Sequence, residues 1–168
     1  MHDVLIIGSG VIGMSIARQL SQSHLDIAIV DRDIPGMHAS YKAGGMLGAQ
    51  NEFTTDSELF QLAVASRSLF PELSDALYHE TGIDIEFQQS GLIKMASSTK
   101  DVERLTQQYD FLRSKDPSVE LLSDDALFNL SNGHIEPTDL AIYIPKDGQI
   151  NANPVSYTHL TLPTNREV

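Results

Sequence analysis

Two short uninterrupted apolar runs, Val4-Leu5-Ile6-Ile7 and Ile27-Ala28-Ile29-Val30, flank a stretch in which Ile12, Ile16 and Leu20 recur at every fourth position. Continuous runs of this length suit strands buried on both faces, and the four-residue recurrence suits a helix laid on a sheet. Strand, helix and strand in that order predict a right-handed βαβ crossover with parallel strands. Gly8 closes the first run and Asp31 the second.

The pattern then changes. From Pro35 to Gln50 small residues replace any period, which predicts a loop or a poorly started helix. Thr55-Asp56-Ser57-Glu58 reads as a capping box opening a long helix with Leu62, Leu69, Leu73 and Leu77 on its apolar side and Gly82 as its stop. Pro71 inside that pattern predicts a bend or two abutting helices. Ile83, Ile85 and Phe87 alternate with Asp84 and Glu86, as in a half-buried antiparallel strand, with Gly91 to Met95 as its neighbour. Val102, Leu105, Tyr109 and Leu112 predict a helix ending before Pro117. A short strand over 119–122, a helix started by Ser123 and Asp124, and a last strand over 140–144 follow. The strands after Ile83 alternate where the first two do not, so a second layer of different architecture is expected there. The fold class is therefore α/β, with a Rossmann-like βαβ unit leading into the beginning of an α+β domain. The expected boundaries are 1–80, 81–154 and a separate 155–168.

Charge narrows the partners. The 168 residues carry 23 acidic and 11 basic side chains, a formal net charge of −12. Such a surface repels nucleic acid and anionic membrane. There is no cysteine, which excludes disulfides, thiolate nucleophiles and zinc–thiolate sites. The run from Val4 to Ile16 is preceded by Asp3 and interrupted by glycines, unlike a signal peptide, so a cytoplasmic location is expected. The six histidines show no paired ligand spacing, and no metal site is expected.

Gly8-Ser9-Gly10-Val11-Ile12-Gly13 is a G-x-G-x-x-G turn placed between strand and helix, with Asp31 following at close to the usual distance of about 20 residues. Gly8 permits the tight turn, Gly10 lets backbone approach a pyrophosphate, and Gly13 lets the helix pack near the strand. Unpaired amides at the helix start favour an anion. Asp31 suits the ribose hydroxyls of an adenosine and disfavours a 2′-phosphate. The βαβ unit alone leaves FAD and NAD open; the small-residue stretch from Ser40 to Ala49, able to lie against a flat ring, favours FAD.

Ala43-Gly44-Gly45-Met46-Leu47-Gly48-Ala49, Gly82-Ile83-Asp84-Ile85 before Ser90-Gly91-Leu92-Ile93-Lys94, and Asp147-Gly148-Gln149-Ile150-Asn151 before Pro154 carry a family resemblance. Over residues 3–154 the chain resembles the D-amino-acid-oxidase-like FAD oxidoreductases, and within them the glycine-oxidase branch of thiamine biosynthesis. The resemblance implies FAD as cofactor, with Val11 and Ile12 amides near the pyrophosphate and Asp31 with Arg32 at the adenosine. It implies Ser40 and Tyr41 along the diphosphate and ribityl chain, and Gly45, Met46 and Leu47 at the flavin ring; plain core packing is the alternative for Met46 and Leu47. The implied reaction oxidises a small amine or amino acid, glycine foremost, to an imine with hydride transfer to flavin and peroxide formation. No catalytic side chain is nominated, and a homo-oligomer is expected at full length.

In the family, an arginine and a tyrosine that bind the substrate carboxylate come later than Pro154. The chain is thus expected to be an N-terminal fragment without turnover. The stretch from Val155 to Val168 does not resemble the family and is expected to be a non-native tail, with no role for His159 or Arg166. The alternatives are a sarcosine oxidase or D-amino-acid dehydrogenase of the same superfamily, or a non-catalytic cofactor-binding fragment.

Overall fold

A computed structural model describes residues 1–160. In chain order the elements are β1 (Val4–Ile7), α1 (Val11–Leu20), β2 (Ile27–Val30), β3 (Met46–Leu47), α2 (Glu58–Ser68), α3 (Phe70–Thr81), β4 (Leu92–Met95), α4 (Thr99–Lys115), β5 (Glu120–Leu122), α5 (Asp124–Leu130), β6 (Ala141–Ile144), β7 (Gly148–Gln149) and α6 (Ala152–Leu160). They form two compact units interleaved along the chain. The first takes Met1–Gly45, Phe70–Phe87 and residues 150–160, and the second takes Met46–Leu69 and Gln88–Gln149. The sequence pattern predicts instead one boundary at 80/81 and a second at 154/155.

In the first unit β1 and β2 pair in parallel, from Val4 opposite Ile27 to Ile7 opposite Val30, around α1. This is the expected crossover. The expected burial is not there: Leu5 is 58% and Ile7 84% exposed. Alternate residues of β1 face away from α1, and on that side nothing covers them among the described residues. The stripe of α1 also differs. Met14 is its buried residue, while Ile12 and Ile16 are exposed. The helix is turned so that Gly13 lies close to β1, where an added Cβ would stand 3.2 Å from Ile6 Cγ2.

The core of this unit is Leu77, Ile85 and Val155, with Phe70 stacked on Phe87 at 6.3 Å between ring centroids. Ile83 to Phe87 is not the predicted strand. Glu86 takes a positive φ of 55°, and its amide donates to Asp84 Oδ1 at 2.7 Å, a local turn that breaks the extended run. Ile85 is nonetheless fully buried, and its carbonyl accepts from Asn151 N at 2.8 Å. Helix α6 runs through the boundary expected at residue 155, with Val155 and Thr158 buried. Residues 161–168 of the expected tail lie outside the described residues.

The second unit is built on an antiparallel sheet ordered β4-β6-β5. Its partner for β4 is therefore β6, not the 83–87 segment. Leu105 and Leu112 of α4 pack with Val119, Ile142 and Ile144, and Phe60 sits edge-on to both Phe53 and Phe111. Pro71 marks the break between α2 and α3, as predicted. The cap of α2 is Ser57, whose Oγ accepts from Phe60 N at 3.1 Å, rather than Thr55; Leu62 and Leu69 of the predicted apolar side are exposed. Ser123 caps α5 in the same way, accepting from Ala126 N at 3.2 Å. Strands β3 and β7 form a two-residue antiparallel ladder, Met46 opposite Gln149 and Leu47 opposite Gly148. Among the described residues no helix is long and apolar enough to cross a membrane.

Candidate functional site

The turn between β1 and α1 is stripped of side chains where a ligand would need it to be. Gly8 has a φ of 104°, a conformation that side chains resist. Gly10 is the N-cap of α1 and makes no side-chain cap bond. A Cβ on Gly13 would stand 2.0 Å from the Gly8 carbonyl oxygen, so only glycine lets the helix start this close to the turn. The opening amides of a helix have no partner within it. Here Val11 N donates to Ser40 Oγ at 3.1 Å, which brings Ser40 to the helix N-terminus. Ile12 follows with its side chain exposed and its amide in the same first turn. The cradle fits an anionic group bound by main-chain amides.

Asp31 ends β2 facing this turn. Its Oδ2 accepts from Ser9 N at 2.7 Å and from Ser9 Oγ at 2.6 Å, and its Oδ1 from Asp33 N at 3.3 Å. The Ser9 hydroxyl, then the Ser9 amide, hold the Asp31 carboxyl down at about 2, against an ordinary 3.8. It is an anion at any physiological pH, with acceptor capacity left for hydroxyl donors. Ser9 Oγ in turn accepts from Gly36 N at 3.2 Å. The sequence reading missed Ser9, a 2%-exposed residue at a position the motif leaves free; its small hydroxyl inside the turn was the one available signal. Arg32 is exposed next to Asp31, and Tyr41 is half-buried next to Ser40.

Gly45 ends its stretch of the first unit at a φ of 74°, its carbonyl accepting from Ile150 N at 2.9 Å; a Cβ there would stand 1.9 Å from the Ile150 oxygen. Met46 and Leu47 form β3 of the second unit. Met46 is 70% exposed, which removes core packing as its role, and Leu47 is half-buried. A separate cleft of about 430 Å³ in the second unit contains none of the predicted site residues. Its cations are already paired, Arg67 with Asp147, Lys115 with Asp56 at 2.5 Å and Lys146 with Asp116 at 3.0 Å. Among the described residues no group of three His, Asp or Glu side chains could hold a metal ion.

A bare glycine turn feeding a helix N-terminus, with a fixed carboxylate at the end of the next strand, defines a dinucleotide-binding βαβ unit. The chain belongs to the FAD-dependent oxidoreductase family designated DAO, which it matches over residues 3–160. That match runs beyond residue 154, where the family likeness was expected to stop. The chain is 41% identical over 152 residues to a glycine oxidase of Geobacillus kaustophilus, covering 90% of this chain and 40% of that protein. The crystal structure of glycine oxidase from Geobacillus kaustophilus superposes with a TM-score of 0.89 at 38% identity, covering 94% of this chain and 43% of the other. Glycine oxidase from Bacillus cereus ATCC 14579 superposes with a TM-score of 0.84 at 31% identity, over 95% and 42% of the two chains. The chain thus spans about two fifths of the length of these relatives.

Proposed function

We propose that this chain carries the FAD-binding portion of an oxidase that converts a small amine or amino acid, glycine foremost, to its imine. The observation that carries the proposal is the Gly8–Gly13 turn, which its glycines keep free of side chains at the start of α1, with Asp31 held ionised beside it. FAD, when bound, supplies the acceptor for a hydride from the substrate Cα–H, and dioxygen then takes the electron pair as hydrogen peroxide. The chain's own contribution is positional. Val11 and Ile12 amides and Ser40 would hold the diphosphate, Asp31 with Arg32 the adenosine, Tyr41 the ribityl side, and Gly45, Met46 and Leu47 the flavin ring. Holding reactants in line is itself a large catalytic effect, which suits a site without an acid–base pair.

Glycine as substrate is supported by the glycine oxidases among the relatives and by the 41% identity to one of them. A cytoplasmic location and a homo-oligomer at full length belong to the same reading. The 168 residues span about two fifths of these relatives, so FAD binding, and not turnover of glycine, is the part of the reading tested on them. The test is an FAD titration of the purified chain beside its Gly13→Ala variant. The added methyl meets the Gly8 carbonyl, an overpacking worth about 1–3 kcal/mol, so FAD affinity should fall roughly five- to a hundredfold. Equal FAD affinity in the two proteins would count against the turn as the binding site.

A further inference from the structure

Strand β3 is only two residues long, and Met46, 70% exposed, has no packing of its own to hold it. A ladder this short does not persist unaided. What surrounds it is a buried charged cluster. Asp147, wholly buried, stands immediately before β7 and accepts from the amides of Gln50 at 3.1 Å and Asn51 at 2.9 Å, just beyond β3. The same carboxylate accepts from Arg67 Nη1, which also donates to Gln50 Oε1 at 2.7 Å. Gln50 is 2% exposed, and its Nε2 donates to Asp116 Oδ2 at 3.1 Å.

The far side of the turn is held as well. The Asn51 carbonyl accepts from Lys94 Nζ at 3.2 Å and from Gln108 Nε2 at 2.7 Å. One carboxylate therefore ties β7, the exit of β3 and helix α2 together, while Lys94 and Gln108 fix the same turn from the sheet and from α4. Burying an ion pair contributes little net stability compared with apolar packing. Its directional bonds do fix geometry.

We infer that Asp147, with Arg67 and Gln50, is a positioning cluster that sets the place of the Met46–Leu47 strand for the flavin ring. The inference rests on the cofactor reading above, and its test separates the two halves of FAD. The purified chain is titrated with ADP and with FAD, the flavin being followed by its fluorescence and visible spectrum. Asp147→Asn is expected to leave ADP affinity unchanged, to weaken FAD roughly tenfold or more, and to shift the visible band of the bound flavin. Arg67→Lys, which keeps the charge but not the shared Nη1, is expected to fall between. An Asp147→Asn protein with the original unfolding profile, FAD affinity and flavin spectrum overturns the inference.

A variant that does not fold is covered by hydrogen exchange on the unmutated chain. FAD, but not ADP, is expected to slow exchange across residues 46–51, and equal protection by both ligands overturns the inference. An unmutated chain that binds ADP but not FAD also overturns it while leaving the dinucleotide turn intact. Binding of neither removes the cofactor reading, and the inference with it.

Discussion

Ser9 gives Asp31 two donors on a single oxygen, and this makes the stability contributed by that carboxylate depend on acid pH. A group whose folded pKa is lowered stabilises the fold above its ordinary pKa and loses that contribution as pH falls through the folded value. For Asp31 the window runs from 3.8 down to about 2. Thermal melts of the chain and of Asp31→Asn at stepped pH are expected to differ by a constant amount at neutral pH and to converge across that window. A difference independent of pH would rule out the Ser9 pairing as its source. The glycines and Asp31 were legible in the sequence because their roles depend on neighbours in one short stretch, and because a missing side chain is visible in a sequence. Asp147 was legible only as part of a family-like turn. Its partners at 50, 51 and 67 are brought to it by folding, and no spacing announces them.

At the level of elements, pattern marked most of the regular segments, but not α6 and not which faces would be covered. The runs of β1 and β2 are apolar throughout, as strands between two layers would be, yet Ile7 is 84% and Val30 46% exposed. The recurrence Ile12, Ile16, Leu20 was a true helix signal on the wrong face, because the approach allowed at Gly13 sets the helix rotation. The segment 83–87 alternates like a strand and is broken by one backbone conformation at Glu86. The sequence places the start of α2 two residues early, at Thr55 in place of Ser57, and this cap is the case that can be measured. Ser57→Ala should cost about 1 kcal/mol in denaturant unfolding and Thr55→Ala close to nothing. The reverse order would restore Thr55 as the capping residue.

On the scale of the whole chain, the sequence showed two architectures but not their interleaving, since apolar periodicity carries no record of a late segment returning to an early one. Residues 150–160 belong with the first unit, and Val155 lies in its core with Leu77 and Ile85. A chain ended after Gln149 keeps both stretches of the second unit and loses Val155. Such a chain is expected to retain a cooperative unfolding transition in scanning calorimetry while its ADP affinity drops; undiminished ADP affinity would show that α6 is dispensable for the first unit. The nesting has a further consequence for how the protein comes into being. The glycine turn leaves the ribosome before the second unit, and the helix that packs in the core of its own unit follows only after β7 has been made. A nascent chain therefore carries the glycine turn, and the apolar strands beside it, through synthesis of the second unit before that core can close. Cofactor capture waits on that synthesis, and the interval is when chaperone attention matters most.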